Sequence, residues 1–287
     1  MRNSRKSAQK VNVCGAGATT LMSLLLLSLA AVASAAAQTT IDYKGAAATA
    51  LSGINDSGLM VGIFYNSDGS EHSFLYDGKK FTTFDYPQAA WTEAAGIDQA
   101  GDVVGYYGNV ADTWAHGFLR TAAGDFSSMD HDGHFNTMPF GINSAQTIVG
   151  CMHNPGTMHG FIMQDGGFVS MSPAYEMYTA INDTGTIVGW HHAAPSKVLS
   201  FVLSGTGQVN FNFPGATNTQ AYGINVYGAV VGWYGTDTNG HGFLMKDGKF
   251  TSIDIPNATL THAVGINNAG RIVGYYENAT GFHGFVL

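Results

Sequence analysis

The chain has 287 residues, with 12 Lys and Arg against 20 Asp and Glu, and its formal net charge is −8. This balance excludes a nucleic-acid or anionic-membrane surface, because either partner needs clustered cations that displace counterions. The length is sufficient for a large buried core.

Residues 1–37 have the organisation of an export signal. Four basic residues precede position 11, residues 21–32 form an apolar core, and the run "ASAAAQ" offers cleavage after Ala35 or Ala37. An N-terminal membrane anchor is the alternative, but an apolar run of about a dozen residues is short for a bilayer. We therefore expect a secretory signal peptide over 1–37 and one domain over 38–287, secreted to the extracellular space, with the periplasm as the alternative location.

Export changes the balance of charge and cysteine. Eight Lys and Arg then remain against 20 Asp and Glu, a net charge of −12, and Cys151 is the one cysteine left. A single cysteine forms no internal disulfide, so packing must supply the stability. We expect a monomer without a nucleic-acid partner and, after removal of the signal, without a membrane partner.

One sequence unit recurs six times after the signal. Its anchor is Gly-Ile-Asn, a short turn, and Ile/Val-Val-Gly followed in most copies by an aromatic residue. The copies in chain order are "GINDSGLMVGIF", "GIDQAGDVVGYY", "GINSAQTIVGCM", "AINDTGTIVGWH", "GINVYGAVVGWY" and "GINNAGRIVGYY". The anchor Asn or Asp falls at positions 55, 98, 143, 182, 225 and 267, so the units are 39 to 45 residues long.

Each unit contains four short runs rich in Val, Ile, Tyr and Phe, which we name strands A to D. In the fifth unit they are "QAYGIN", "AVVGWY", "GHGFLM" and "KFTSIDI". The A–B turn, such as "NDTG", suits a type I turn closed by a glycine with positive φ. Gln146 replaces that glycine in the third copy, so its turn is either strained or different.

Four-stranded units of about 42 residues predict an all-β, six-bladed β-propeller, with a solenoid of stacked strands as the alternative. The ends of the repeat array discriminate between them, because a ring must close on itself. Residues 39–48 match the strand D region of other units, whereas the last unit has strands A, B and C but no D. We expect residues 39–43 to pair with strand C of the last blade, which closes the ring and covers two sheet edges.

The repeated pattern, in which His-Gly-Phe, Asp-Gly, Phe and Asp-Pro follow the anchor, resembles the extracellular HAF-type repeat of exported bacterial proteins. The resemblance covers essentially all of residues 38–287 and implies secretion and a propeller-like array, but no activity for particular positions. Two copies depart from the pattern, since Leu199 replaces the motif His and Ala180 replaces the motif Gly. These departures argue against an identical site in every blade.

Five copies place a histidine at the start of strand C: His72, His116, His159, His241 and His283. They fall one per blade, and the fourth blade has Leu199 instead. We therefore interpret them as structural, packing and bonding backbone between blades, rather than as metal-binding or catalytic. The aromatic residues after Val-Gly, including Trp190 and Trp233, are interpreted as packing between blades.

Strand alternation puts the D–A and B–C connections on one face of a propeller and the A–B and C–D turns on the other. The D–A and B–C connections are long and differ between copies, so we expect any site on their face, which we call the variable face. A Thr four residues before the motif Gly (Glu176 in the fourth copy) is expected to bond backbone at the D–A corner.

The position after that Thr differs between copies: Ala50, Glu93, Met138, Met177, Gln220 and His262. Glu93, Gln220 and His262 are candidate ligand contacts at the mouth of the central channel. Trp91 and Trp114 flank Glu93 in blade 2, and exposed aromatic rings beside a carboxylate suit a sugar. The alternative is that both rings are packed onto neighbouring loops. Only Arg120 and Arg271 remain as arginines after residues 1–37, and two cannot supply the Arg, Glu and aromatic residue that each blade of a fucose-lectin propeller carries.

A second group of candidates suits a metal ion. His131, Asp132 and His134 lie between blades 2 and 3, and His153 lies in the B–C loop of blade 3. Neutral imidazoles with a carboxylate bind Zn²⁺ or a similar divalent metal. The spacing matches no stringent metal motif, so solvated loop histidines are the alternative and no cofactor is required.

No catalytic residue is assigned, because the sequence has no Ser-His-Asp order and no nucleophile elbow. We expect a secreted, non-catalytic binding module with an extracellular glycan or protein ligand on the variable face. A metal-dependent hydrolase or lyase that uses the loop histidines is the first alternative. A purely structural extracellular protein is the second.

Overall fold

Short antiparallel strands make up the regular structure of this chain. The computed structural model describes residues 38–110, 114–132, 136–154 and 156–287; the predicted signal peptide, residues 1–37, lies outside them. The described residues contain 24 strands, and none of their segments forms a helix with the length and apolar character needed to cross a bilayer.

The strands form six antiparallel sheets of four, one for each sequence unit. The chain begins its regular structure with β1 (Thr39–Ile41). Blade 1 follows as β2 (Ala48–Ile54), β3 (Met60–Tyr65), β4 (Glu71–Tyr76) and β5 (Phe81–Phe84). Blade 2 is β6 (Trp91–Ile97), β7 (Val103–Gly108), β8 (Ala115–Arg120) and β9 (Phe126–Met129). Blade 3 is β10 (Asn136–Ile142), β11 (Ile148–Asn154), β12 (Thr157–Gln164) and β13 (Gly167–Met171).

The last three blades repeat this order. Blade 4 is β14 (Glu176–Ile181), β15 (Ile187–Ala194), β16 (Lys197–Ser204) and β17 (Gly207–Phe211). Blade 5 is β18 (Thr219–Ile224), β19 (Val230–Thr236), β20 (Asn239–Lys246) and β21 (Lys249–Ile253). Blade 6 is β22 (Leu260–Ile266), β23 (Ile272–Asn278) and β24 (Gly281–Val286), completed by β1. The six A strands contact one another around the axis, so the fold is a six-bladed β-propeller and the prediction is confirmed.

The core lies between neighbouring blades. The aromatic residue of each strand C is fully buried, with an exposed fraction of 0%: Phe74, Phe118, Phe161, Phe201, Phe243 and Phe285. One such cluster joins Val61 of blade 1 to Val103 and Phe118 of blade 2. Burying a large apolar side chain contributes about 1.5–3 kcal/mol, so these contacts hold the blades together without a disulfide.

The predicted closure is present at the junction of the first and last strands. β1 pairs with β24 in the register Thr39↔Val286, Thr40↔Phe285 and Ile41↔Gly284. The side chain of the next residue, Asp42, accepts a hydrogen bond from His283 Nδ1 at 2.9 Å. Tyr43 then stacks on Phe64 of blade 1, with ring centroids 3.9 Å apart. The strand is two residues shorter than predicted, and those two residues form side-chain contacts instead.

The Val-Gly glycine of strand B lies directly against strand A. A Cβ on Gly62 would lie 2.2 Å from the Ala50 carbonyl oxygen, and one on Gly189 would lie 2.0 Å from that of Met177. No real side chain tolerates these distances, so glycine is required by the close approach of the two strands.

Every A strand also carries a β-bulge, in which one residue has no partner on strand B. The bulged residues are Ser52, Ala95, Phe140, Thr179, Tyr222 and Val264. A bulge bends its strand and re-aims the side chain. All six bulged residues line the central channel.

A ring of amide hydrogen bonds joins the inner ends of the blades. The anchor Asn of one blade donates from Nδ2 to the main-chain oxygen of the anchor residue in the next blade. The donor–acceptor pairs are Asn55–Asp98 at 3.0 Å, Asn143–Asn182 at 3.1 Å, Asn182–Asn225 at 2.9 Å, Asn225–Asn267 at 3.2 Å and Asn267–Asn55 at 3.1 Å. The Oδ1 atom of each anchor accepts from its own A–B turn, as Leu59 N to Asn55 shows at 3.0 Å.

The junction of blades 2 and 3 uses a different donor. Asp98 has no N–H on its side chain, so it cannot donate to blade 3. Gln146 of blade 3 donates instead, from Nε2 to Asp98 Oδ2 at 2.8 Å. Gln146 has φ +58°, the same left-handed conformation as the turn glycines Gly58 and Gly101. The third turn is therefore strained rather than different in shape.

Deletion of residues 38–44 tests the closure. Without β1 the last blade loses its outer strand, the buried Ile41 and the His283–Asp42 contact, so the melting temperature should fall by about 10 °C or more. Thermal unfolding followed by circular dichroism measures it. Ile41→Asp should reproduce much of the loss, whereas Thr39→Asp, at an exposed position, should have little effect. An unchanged melting temperature in the deletion would contradict a closed ring.

Restoring the common residues at the blade 2–3 junction tests the exchanged donor. Gln146→Gly relieves a left-handed non-glycine residue but removes a hydrogen bond to a carboxylate, so we expect a net loss of about 1 kcal/mol. The double variant Asp98→Asn/Gln146→Gly regains the ordinary amide donor and should be at least as stable as the parent. Denaturant unfolding of the parent, both single variants and the double variant gives the coupling, expected at about 1–2 kcal/mol. Additive single effects would contradict the pairing.

Candidate functional site

A cavity of about 470 Å³ lies on the propeller axis, enclosed by the six A strands. At the variable face it is bounded by the residues that differ between copies, which we call the mouth ring: Ala50, Glu93, Met138, Met177, Gln220 and His262. Gln220 lines an adjoining side pocket of about 370 Å³ formed by blades 5 and 6, and the other mouth-ring residues line the channel itself. The sequence candidates Glu93, Gln220 and His262 therefore lie at one opening.

The residues opposite the mouth ring on strand B divide the opening into two sectors. The cross-strand partners are Ile63, Tyr106, Cys151, Trp190, Trp233 and Tyr275. In blades 3 and 4 the mouth is apolar, because Cys151, Met158 and Met177 form a buried cluster. Burial raises the pKa of the Cys151 thiol, so this cysteine is not a reactive thiolate.

The other sector of the opening is polar and contains the acid Glu93, which is half-buried. Its cross-strand partner is Tyr106, whose phenol stands near enough to the carboxyl group to affect its pKa. Burial raises the pKa of Glu93 above its usual value, and burial followed by the charge of Glu93 raises the pKa of Tyr106. No Lys or Arg is among the described residues that line the channel or the side pocket. Glu93 is therefore a half-buried acid that has no cationic partner among the described lining residues.

Glu71 lies beside Glu93, on the B–C hairpin of blade 1 opposite Tyr65. Burial, followed by the charge of Glu93, raises the pKa of Glu71 to about 7. One of its oxygens, Oε1, is buried and makes no hydrogen bond. Two acidic groups that repel each other in this way favour at least one proton between them near neutral pH.

His262 is held neutral at the mouth. It is 7% exposed, and its ring stacks on the Trp233 indole with centroids 4.3 Å apart. Its Nδ1 atom lies 2.8 Å from the Tyr275 hydroxyl, whereas Nε2 has no hydrogen-bond partner. Burial lowers the pKa of His262 to about 4, so the imidazole adds no charge to the site above that pH.

Tyr222 enters the channel from the bulge of blade 5. Its hydroxyl donates to Gln220 Oε1 at 3.2 Å and faces the indole nitrogens of Trp190 and Trp233. The Trp190 nitrogen makes no hydrogen bond of good geometry. Burial raises the pKa of Tyr222 to about 12, so the phenol stays protonated and offers both a donor and an acceptor.

The motif histidines lie away from this opening and pair within their own blades. Four of them contact the Asp that ends strand D, through Nδ1: His72–Asp85 at 2.9 Å, His116–Asp130 at 3.1 Å, His241–Asp254 at 2.7 Å and His283–Asp42 at 2.9 Å. His159 contacts the Ser172 main-chain oxygen at 3.0 Å instead. The usual partner is thus a carboxylate of the same blade rather than backbone of the next, which corrects the expected partner, and the structural role stays an interpretation.

The threonines at the start of strand A bond backbone at the D–A corner, as the sequence suggested. Their Oγ1 atoms accept from the main-chain nitrogens of Tyr43, Tyr86, His131, Phe213 and Ile255, at 3.0 to 3.2 Å. In blade 4 the position holds Glu176, which is 9% exposed. Its Oε1 accepts from Gln208 at 3.2 Å, and its Oε2 has no partner.

The residues predicted to bind a metal are only partly described. His134 lies outside the described residues. His131 Nδ1 lies 2.9 Å from the Asp132 main-chain oxygen, and His153 is half-buried, which lowers its pKa. Within the described ranges no three His, Cys, Asp or Glu side chains are grouped as metal ligands would be. The metal site stays a prediction.

The two tryptophans predicted for a sugar lie beside the mouth rather than in it. Trp91 is half-buried and covers Gly108, since a Cβ there would lie 2.3 Å from the indole nitrogen. The Trp91 ring also forms a T-shaped contact with Tyr106, with ring centroids 6.0 Å apart. Trp114 is also half-buried, and neither ring lines the channel or the side pocket. Their role in binding stays a prediction.

Sequence reasoning missed the aromatic half of this opening. Tyr106, Tyr222, Trp233 and Tyr275 line the channel, but the repeat pattern marks three of them only as the aromatic residue after Val-Gly. Tyr222 follows from the bulge, which no residue type in "QAYGIN" announces. The missed signal concerns Tyr106, Trp233 and Tyr275. They stand directly opposite mouth-ring residues in the A–B hairpin and therefore lie on the same side of the sheet.

Comparisons with known proteins bear on the fold. No family model matches this sequence, and no curated protein matches it. Among solved structures, AofleA from Arthrobotrys oligospora is 13% identical over 88% of this chain and 86% of its own, with a TM-score of 0.58. The SapL1 lectin, solved in complex with alpha methyl fucoside, is 12% identical over 84% of this chain and 92% of its own, with a TM-score of 0.56.

A third similar structure is an enzyme. The Trypanosoma rangeli sialidase is 10% identical over 88% of this chain, with a TM-score of 0.53, and this chain covers 59% of it. Identities this low show a shared propeller fold and nothing about ligands.

The raised pKa of Glu71 predicts a pH-dependent effect on stability. Between pH 4.5 and 7 the folded protein holds a proton that the unfolded chain has lost, so stability falls as pH rises through this range. Glu71→Gln should remove this loss and melt higher than the parent at pH 8, with no difference near pH 5. We expect roughly 2–4 °C, the equivalent of about 1 kcal/mol, since solvent screens a partly exposed group.

The control for this experiment is Asp125→Asn, which removes a carboxylate on an exposed C–D turn. His262 acts in the opposite sense, because its lowered pKa costs stability as pH falls from 6.5 to 4. The parent and Glu71→Gln both contain His262, so the difference between their melting temperatures reports the contribution of Glu71. A difference that is constant from pH 5 to pH 8 would show that Glu71 has an ordinary pKa.

Proposed function

We propose that this protein is a secreted propeller binding module that takes an extracellular glycan at the mouth of the central channel. The supporting observation is where buried polar atoms lack partners. Among the described residues, six such atoms belong to the variable-face halves of the blades: Glu71 Oε1, His153 Nε2, Glu176 Oε2, Trp190 Nε1, His191 Nε2 and His262 Nε2. The seventh, Arg120 Nε, is at the opposite end of its strand.

Buried polar atoms cost about 1–3 kcal/mol each when unpaired, so a concentration of them on one face supports a ligand or water there. The two candidate ligands, a glycan and a protein, differ in the surface that they need. A protein ligand of standard size covers about 800 Å² of surface, whereas the channel and side pocket on this face, which His262 lines, admit only a small group. The observation therefore favours a glycan over a protein.

The lining chemistry also suits a sugar. Tyr222, Trp233 and Tyr275 offer apolar ring surface with polar tips, and Glu93 and Gln220 offer acceptors and a donor for hydroxyl groups. This combination of a few convergent polar groups with aromatic walls is the usual composition of a small-ligand site. The HAF-type resemblance, with the secretion that it implies, belongs to the same proposal. The metal-dependent hydrolase or lyase remains an alternative that His134 leaves open.

A glycan array probed with the purified full chain, followed by titration calorimetry on the strongest glycan, tests the proposal. Gln220→Ala and Tyr222→Phe should each weaken binding about 10-fold or more, because each removes a hydrogen-bonding group at the mouth. The control is His241→Leu, since blade 4 already has Leu199 at that position and His241 pairs with Asp254 away from the opening.

The control variant should bind as the parent does. No binding by a folded parent would leave the purely structural function as the best description. Equal losses in His241→Leu and Gln220→Ala would place the ligand somewhere other than the mouth.

A further inference from the structure

The charge of the channel constrains the glycan. The described residues that line the channel and side pocket include the carboxyl groups of Glu93 and Asp237 at the variable-face end, and no Lys or Arg. Glu71 lies behind Glu93 and repels it. An acidic sugar would bring a third negative group into this sector without a cation to meet it. Carboxylated and sulfated glycans are therefore poor ligands.

Glu93 itself is an acid that lacks a counterion. Its polar contact is the neutral phenol of Tyr106, and Tyr65, Tyr222 and Tyr275 stand near enough to feel its charge. A carboxylate that has lost part of its hydration is stabilised by an opposite charge or by protonation. A ligand that carries a positive charge would stabilise the Glu93 carboxylate, and this attraction would favour binding.

His262 does not act as a cation for Glu93. His262 is the one imidazole among the described lining residues, and it is 93% buried with Nε2 unpartnered. Because it stacks on Trp233 and bonds Tyr275, it stays neutral and does not pair with Glu93. Its Nε2 atom packs against Gly240 of strand C in blade 5, where an added Cβ would lie 2.6 Å away, so the imidazole supplies no charge to the channel.

We infer that the mouth of the channel selects a saccharide with a free amino group, a glucosamine-type unit whose ammonium binds Glu93. An ammonium has three N–H donors, and the carboxylate of Glu93 and the neighbouring phenol oxygens are acceptors for them. The aromatic rings of the side pocket take the adjoining sugar, and cation–π attraction to Tyr or Trp adds to the preference. This inference rests on the proposed function, since it names the class of glycan bound there.

A pair of oligosaccharides that differ only at nitrogen tests the inference. Titration calorimetry of the full chain at pH 6.5 compares a glucosamine trisaccharide with its N-acetylated counterpart. The amine should bind at least 10-fold more tightly. Its binding should also release protons from Glu93, seen as a heat that changes with the ionisation enthalpy of the buffer. The titratable groups around Glu93 are Glu71, Tyr65, Tyr106, Tyr222, Asp237, His262 and Tyr275.

Glu93→Gln keeps the shape of the side chain and removes its charge. It should lose at least 10-fold in affinity for the amine, keep its affinity for the N-acetylated sugar within about 2-fold, and release no proton. Asp125→Asn removes the same charge from an exposed turn of the same blade and should behave as the parent.

The possible failures are distinguishable. If neither trisaccharide binds and no other glycan does, the proposed function fails and the inference falls with it. If the N-acetylated or an acidic sugar binds as tightly as the amine, the module is a glycan binder but the ammonium inference is wrong. An unchanged amine affinity in Glu93→Gln would also overturn the inference.

Discussion

The hydrogen bond from the anchor amide of one blade to the main-chain oxygen of the next is the constraint on which the rest of the ring depends. Asn55 shows both halves of it: Oδ1 closes its own A–B turn, and Nδ2 reaches Asp98 of blade 2. One buried side chain thus couples the local turn to the angle between neighbouring blades. Because every inner strand is fixed at this end, the strands converge on one axis, and their opposite ends open into the mouth at the variable face.

The same convergence of strands accounts for the shifted pKa values of the ionisable groups at the mouth. The Val-Gly glycines let strand B approach strand A until a Cβ would overlap a carbonyl oxygen, including those of Glu93 and His262, and both side chains are partly or fully removed from water. Low hydration raises the pKa of the acid and lowers that of the imidazole. The scaffold therefore produces the electrostatics of the opening, and a ligand that restores the lost hydrogen bonds recovers part of the cost.

The fold could be predicted from sequence because it is repeated. Six copies of the Gly-Ile-Asn anchor show the same pattern even where single copies depart from it. The unmatched strand at residues 39–41 pairs with the last blade and closes the ring. The site could be predicted only in outline. Variation at Glu93, Gln220 and His262 indicated the mouth, but Tyr222 enters it through a bulge, and a bulge depends on strand pairing that no single residue type encodes. Glu71 comes from a different blade, so its contact with Glu93 is invisible in either segment alone.

The exchange of Asp98 and Gln146 carries a consequence for how such a ring changes over time. In five junctions the interface is encoded by one residue type, so those blades remain interchangeable modules. In the sixth, the two residues depend on each other: without Gln146 the Asp98 Oδ2 atom loses this donor, and without Asp98 this hydrogen bond no longer offsets the left-handed φ of Gln146. Blades 2 and 3 are thereby locked as neighbours. Duplication, loss or shuffling of either blade alone would remove the hydrogen bond at this junction. Blades 2 and 3 are therefore not interchangeable with the other blades.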